Sequence, residues 1–203
     1  GEIISAFALT EPQSGSDAAS ISTTARREGD EYVINGTKRY ITNAPEASLF
    51  TVFARTAPKA DGVKGISALL VEGDIPGITI GPWDRKMGQR GAHTADVTFT
   101  DCRVSADALI SGAEGVGFKT AMKVLDRGRI HIGAVCVATA ERLIDDSLRY
   151  AMERQQFGKP IAEFQLIQAM LADSRAETYA ARCMVEETAR RRDSGLPVVT
   201  EAS

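Results

Sequence analysis

The chain has 203 residues, long enough to bury a core as one large domain or two modest ones. With 43% apolar and 25% charged residues it has the composition of a soluble globular protein, and a net charge of -3 gives no basic footprint for nucleic acid. No apolar run approaches the ~20 residues that span a bilayer, so no transmembrane segment is expected. Three widely spaced cysteines, Cys102, Cys136 and Cys183, outline neither a zinc site nor a disulfide framework and fit a reducing compartment.

The chain opens at Gly1 inside a strand-like segment, with neither Met nor a signal peptide, and so reads as a piece of a longer protein. The first half is rich in β-branched and aromatic residues broken by turn formers, the pattern of short antiparallel strands. Expected strands cover Ile3 to Leu9, Ser22 to Arg27, Glu31 to Ile34, Lys38 to Ile41, Leu49 to Arg55, Ile66 to Val71 and Asp96 to Phe99. Asn35-Gly36, between two of them, predicts a hairpin turn, because both residues tolerate positive φ. Short strands at this spacing predict a β-barrel or sandwich.

After about Ser105 the composition shifts to Ala, Leu, Arg, Glu and Met, and helical periodicity replaces alternation. Ile144, Leu148 and Ala151 fall on one face of a helix expected to end near Gly158-Lys159-Pro160. A second helix is expected from Glu163, with Ile167, Leu171, Ser174, Thr178, Ala181 and Val185 in a narrow stripe suited to another helix. Cys136 lies in an apolar helical stretch and is expected in the core. Arg190-Arg191-Arg192, just before Gly195, complements the negative end of this helix. The fold expectation is α+β and multidomain: residues 1–105 an antiparallel β-barrel or sandwich, residues 106–203 part of an α-helical bundle.

The most informative stretch is ALTEPQSGSDAAS, from Ala8 to Ser20. Pro, Gly, Ser and Asp build any ordinary turn. The same residues suit a loop that grips a ligand, with Thr10 and Ser16 supplying hydroxyls and Gly15 allowing close approach. Lys38-Arg39-Tyr40-Ile41-Thr42-Asn43 reads either as a plain strand or as one wall of a flavin site, with an aromatic ring and a Thr hydroxyl. Gly112 to Thr120 resembles a phosphate-binding loop, but Phe118 separates Gly117 from Lys119, and a flexible connector into the first helix is expected instead. Asp126-Arg127-Gly128-Arg129 is either a solvated face with an i, i+3 pair or a contact to the polar part of a bulky ligand. Arg154 beside Phe157 is either a helix end or a pyrophosphate and adenine contact. His93 and His131 have no partner at metal-ligand spacing, and no metal is expected.

In this order, ALTEPQSGSD, EYVINGTKRYITN, MGQRGAHTADVTFTDCRV, EGVGFKTAM, LDRGR and YAMERQQFGKPIAEFQ closely resemble the acyl-CoA dehydrogenase family. The resemblance covers essentially the whole chain. It implies the family's middle β domain and the first helices of its carboxy-terminal bundle, with the amino-terminal helical domain absent. Carried over by position, Phe7, Leu9, Thr10, Gly15 and Ser16 form the flavin loop, Ser16 also lying near acyl-CoA. Tyr40, Ile41 and Thr42 match the family's aromatic-Ile-Thr contact with FAD, where Trp is usual in place of Tyr40. Asp126, Arg127, Gly128 and Arg129 match the helix that contacts CoA. Arg154, Phe157 and Gln165 match positions that reach the FAD of a neighbouring subunit, which implies a homodimer or homotetramer.

The resemblance further implies α,β-dehydrogenation of an acyl-CoA thioester, a carboxylate taking the α proton while hydride passes to flavin N5. Electron-transfer flavoprotein is the implied electron acceptor. The family's base Glu is expected beyond Ser203; the alternative family location is occupied here by Gly128, so no catalytic residue is assigned within the chain and the isolated stretch is expected to be inactive. The implied location is cytoplasmic in a bacterium or the mitochondrial matrix in a eukaryote. Two alternatives share the fold: a non-catalytic flavin- or CoA-binding subunit, and a relative that oxidises a non-CoA substrate.

Overall fold

The computed structural model describes residues 1–203 as two compact units, 1–122 and 123–203. The first is built on a seven-stranded sheet: β1 (Ser5–Ala8), β2 (Thr24–Glu28), β3 (Glu31–Thr42), β4 (Leu49–Arg55), β5 (Ile66–Glu72), β6 (Ile78–Ile80) and β7 (Thr94–Ser105). The strand order is β1-β4-β2-β3-β7-β6, with β5 also on β4. The sheet is mixed: β1 and β2 run parallel to β4 along one edge, while β5 runs antiparallel along the other. Alternate residues of every strand, among them Ala6, Ala25, Ile34, Phe50, Leu69 and Val97, with Ile78 packed against them, enter one core. Strands from both ends of the order share that core, so the sheet curls, as its right-handed twist favours.

The expected hairpin at Asn35-Gly36 is not formed, because the two strands expected on either side are one 12-residue strand, β3. The turn lies earlier, at Gly29-Asp30, where Glu28 faces Glu31 and Gly29 takes φ 63°. Asn35 instead braces a bulge in β7: its side-chain oxygen accepts from the Asp101 N–H at 2.9 Å, and its amide donates to the Asp101 carboxylate at 3.0 Å. Gly36 is required for space. A Cβ there would lie 2.4 Å from Thr23 Oγ1 and 2.7 Å from Thr23 Cα. The three-residue β6 escaped detection because it is too short to show alternation. β7 is longer than expected at both ends, and its bulge breaks the period-2 pattern beyond Phe99.

Gly115 and Gly117 are packed, not flexible. Cβ atoms there would meet Lys64 O at 2.3 Å and the Ser67 carbonyl carbon at 2.4 Å, so bare backbone is needed where the chain passes the start of β5. Ser67 Oγ accepts the Gly115 N–H at 2.9 Å and fixes this approach. Helix α1 (Gly117–Glu153) begins here, later than the composition shift, and ends before Gly158.

Beyond α1 in the second unit come a two-residue ribbon, β8 (Gln155–Gln156) and β9 (Lys159–Pro160), then α2 (Gln165–Asp193) and a last turn, α3 (Val199–Ala202). Phe157 and Gly158 form the ribbon's turn, both at positive φ. Gly133 of α1 lets Val185 of α2 approach to 3.1 Å from where its Cβ would stand, and Arg182 donates to Glu141 at 2.7 Å. The small-residue stripe of α2 does face α1 at Thr178, which is buried, but Ser174 is exposed. On α1, Ala151 is buried while Leu148 is exposed. Cys136 is exposed, contrary to the core placement: the helix pair buries only one stripe, and Cys136 lies off it.

Gly36→Ala should cost about 1–3 kcal/mol, the range for overpacking, whereas Gly15→Ala, with nothing within 4 Å and no positive φ, should fall within about 0.5 kcal/mol of wild type. Urea unfolding of the two variants checks the contrast.

Candidate functional site

Strand β1 delivers Ala8 and Leu9 into the interior, and the chain then turns outward through Thr10. Glu11 and Ser14 close a tight turn by exchanging backbone hydrogen bonds of 2.9 and 3.1 Å. The Glu11 side chain, 1% exposed, turns back under the loop and accepts from five donors. These are Lys38 Nζ at 2.8 Å, Gln13 Nε2 at 2.7 Å, Ser22 N–H at 2.7 Å, Ser22 Oγ at 2.9 Å and Thr23 N–H at 3.0 Å. The carboxylate therefore ties together the entry and exit of the loop. Lys38 is fully buried and also donates to Leu9 O at 3.0 Å. Burial alone would raise the Glu11 carboxyl, but the ammonium and the donors from Thr23 and Ser22 overcome it and hold it at about 2. Burial lowers the Lys38 ammonium to about 8, still above neutrality, so the pair is ionised at pH 7.

A second buried cation holds the loop's exit. Arg55 donates to Ile21 O at 2.6 Å, Ala19 O at 2.5 Å and Gly62 O at 3.0 Å. Between these two anchors Pro12, Gln13, Gly15, Ser16 and Asp17 remain exposed.

β3 carries the facing edge. Its pairing with β7 slips between Lys38 and Ile41, where β3 has one residue more than its partner, and Tyr40 takes φ 57°. Such a bulge re-aims side chains. Ile41 stays in the core while Tyr40 turns out, 65% exposed, and Thr42 is also exposed. The Arg39 N–H donates to Thr10 O at 2.8 Å, so the bulge is bonded to the loop. The Arg39 side chain grips Asp96 through 3.2 and 2.8 Å contacts, lies over the Tyr40 ring, and holds the Asp96 carboxyl below its ordinary range. Asn43, at φ 65°, ends the strand and donates to His93 O at 2.7 Å.

Of the residues singled out in sequence, Leu9, Thr10, Tyr40, Ile41 and Thr42 are thus on one connected loop-and-strand unit, and Phe7 stands beside it with its ring 4.8 Å from Phe53. Ser16 lies on the exposed part of the same loop. The hydroxyls of Thr10, Ser16 and Thr42 make no side-chain hydrogen bond within the chain, whereas Ser14, Ser20 and Ser22 all do. Gly15 has an ordinary φ and open space around it.

In the second unit, Arg129 pairs with Asp126 at 2.8 Å, as the i, i+3 spacing allows, and Gly128 has open space around its Cα. Arg127 is exposed. Arg154, Phe157 and Gln165 are all exposed about the β8–β9 ribbon. Phe157 packs edge-on to Phe164, and Lys159 lies 4.6 Å over the Phe164 ring.

Sequence reading missed Glu11, Lys38 and Arg55. Parity along β3 holds the signal: Lys38 falls in step with Ile34, on the inward face, and an inward lysine calls for a carboxylate.

The middle-domain model of the acyl-CoA dehydrogenases matches residues 6–102, and the carboxy-terminal-domain model of the same family matches residues 115–203. The chain is 48% identical over its whole length to an acryloyl-CoA reductase (NADH) of Anaerotignum propionicum, covering 52% of that protein. It is 45% identical over its whole length to the human mitochondrial short-chain specific acyl-CoA dehydrogenase, covering 49%. The solved butyryl-CoA dehydrogenase of Megasphaera elsdenii superposes with TM-score 0.94 at 39% identity, over 98% of this chain and 52% of that one. The chain belongs to the acyl-CoA dehydrogenase family. It spans about half the length of the curated relatives it matches.

The folded Glu11 carboxyl titrates below the unfolded one, so the unfolded chain takes up the proton first. The stability contributed by the ionised Glu11 is whole between pH 4.5 and about 8, where Lys38 keeps its proton, and drains as pH falls toward about 2. The loss should be on the order of 3 kcal/mol, and a Glu11→Gln/Lys38→Met variant should lack this component in urea unfolding followed from pH 6 to pH 2.

Proposed function

We propose that the full-length protein is an FAD-dependent dehydrogenase of short-chain acyl-CoA thioesters, with this chain forming its middle β domain and the first helices of its carboxy-terminal bundle. The observation that carries the reading is the wall of exposed Ser16, Tyr40 and Thr42 with half-buried Thr10. It has three hydroxyls free of side-chain bonds within the chain, beside an aromatic ring turned outward by a bulge. That set fits a flavin, a flat ring with a polar edge. Three relatives named for acryloyl-, short-chain acyl- and butyryl-CoA substrates support the short acyl group.

In this reading Tyr40 stacks against the ring system, the hydroxyls of Thr10 and Thr42 bond its polar edge, and Ser16 serves both cofactor and substrate. Phe7, Leu9 and Ile41 back the wall from inside. The flavin, when bound, supplies a two-electron acceptor. Asp126, Arg127, Gly128 and Arg129 hold the polar part of CoA, Arg129 already oriented by Asp126. The proton-abstracting carboxylate lies outside residues 1–203.

Arg154, Phe157 and Gln165, exposed around a tight ribbon, are suited to reach a cofactor held by a second subunit, so a homodimer or homotetramer is expected. Large apolar side chains left open on the helices, such as Tyr150, Met152, Leu166 and Met170, support a larger bundle in the whole protein. Electron-transfer flavoprotein is the proposed acceptor. No helix is long and apolar enough to cross a membrane; the cytoplasm of a bacterium or the mitochondrial matrix is the proposed location.

The NADH-linked reductase among the relatives favours a second reading, in which the same site runs toward reduction of a short enoyl-CoA. Purified full-length protein should carry FAD, and anaerobic butyryl-CoA should bleach its visible band. A protein without flavin sinks both readings; a flavin untouched by acyl-CoA but reoxidised by acryloyl-CoA after reduction with NADH selects the second. Residues 1–203 purified alone should show no dehydrogenation of butyryl-CoA, and measured turnover would contradict the external base.

A further inference from the structure

We infer that Glu11 and Lys38 are positioning residues for the ligand wall: their buried pair sets the register between the 9–16 loop and the bulged end of β3. The inference rests on the flavin reading above and names the groups that build that site without touching the ligand.

The carboxylate neutralises Lys38, and the second acceptor that the buried ammonium needs is Leu9 O, supplied by the same loop, while the neighbouring Arg39 N–H donates to Thr10 O. Consecutive loop residues 9, 10 and 11 are thereby fixed to consecutive strand residues 38 and 39. The next residue of the strand is Tyr40, at the bulge, and the middle one of the three fixed loop residues is Thr10. A shift of either segment would move Thr10 relative to Tyr40 and Thr42. Glu11 closes the loop on itself through Ser22 and Thr23, so the exposed Ser16 is carried by a closed loop and not by a free arm. Gln13 adds a bond from the exposed side. Arg55 holds the loop exit independently, so loss of the pair leaves the loop tethered at one end.

The pair could instead serve stability alone, and the two roles separate in a defined set of full-length holoprotein variants. Glu11→Gln and Lys38→Met each leave one buried partner uncompensated. The double variant removes both charges and should recover much of the thermal midpoint. Val104→Ala, in the core against Tyr32 at the opposite end of β3, is the stability control. Positioning predicts that the double variant, though restabilised, still binds FAD roughly tenfold to a hundredfold more weakly, as when outer-shell support of a built site is lost. Its flavin absorption band and reduction potential should shift as well. Val104→Ala should lose stability with an unchanged band and potential. Recovery of flavin affinity and band together with stability in the double variant overturns the inference, as does an equal spectral shift in Val104→Ala. Wild-type protein without FAD overturns the flavin reading itself, a distinct outcome.

Discussion

The order of the loop after β1 and of the bulged end of β3 depends on burying one ion pair between them. Lys38 and Glu11 are both removed from water, and such burial is tolerated only when the geometry satisfies nearly every donor and acceptor. Here the carboxylate receives five donors and the ammonium two acceptors. That demand leaves little freedom to the segments that supply them: the end of β1, both ends of the following loop, and β3 just before its bulge. Local order at the surface is thus imposed from below, by the cost of leaving an interior charge unmatched.

The same logic of interior constraint and exterior freedom recurs along the chain. Arg55 is buried against three carbonyls and fixes the loop's exit together with the turn at Gly62. Gly36, Gly115 and Gly117 are small because backbone from elsewhere occupies the space of a side chain. Tyr40 holds a positive φ at the end of β3, uncommon for a bulky residue and recurrent where side chains must be re-aimed, and Asn43, a type that takes positive φ readily, ends the strand. Residues that would touch a ligand, by contrast, are left with open hydroxyls and an open ring. The helical unit follows a different rule: close contact at Gly133 and Thr178, an Arg182–Glu141 pair, and apolar side chains left open elsewhere.

Much of this was legible in the sequence, and the failures have physical causes. β4 was delimited correctly because Leu49 to Arg55 is a continuous apolar and β-branched run between turn formers. Asn35-Gly36 misled because a hairpin signal and a close-packed bulge use the same residue types: Gly36 is there for the space beside Thr23, and Asn35 for the Asp101 amide. The glycines before α1 misled in the same way, suggesting slack where there is tight contact with β5. Cys136 misled because an apolar stretch in a helix is exposed wherever the partner helix covers only one stripe. The proposed wall residues were singled out through family resemblance, which marks positions expected to touch a ligand. The Glu11–Lys38 pair beneath them is fixed by strand parity together with a distant carboxylate, and only the fold brings those two together.

The central claim, that the pinned loop and the bulged strand form one face of a flavin site, is tested most directly by a crystal structure of the full-length protein with its cofactor bound. A flavin ring should lie against Tyr40, with a hydroxyl of Thr10 or Thr42 about 3 Å from its polar edge and the Glu11–Lys38 contact intact beneath. A flavin bound elsewhere, with this wall facing solvent or covered by protein alone, would contradict it.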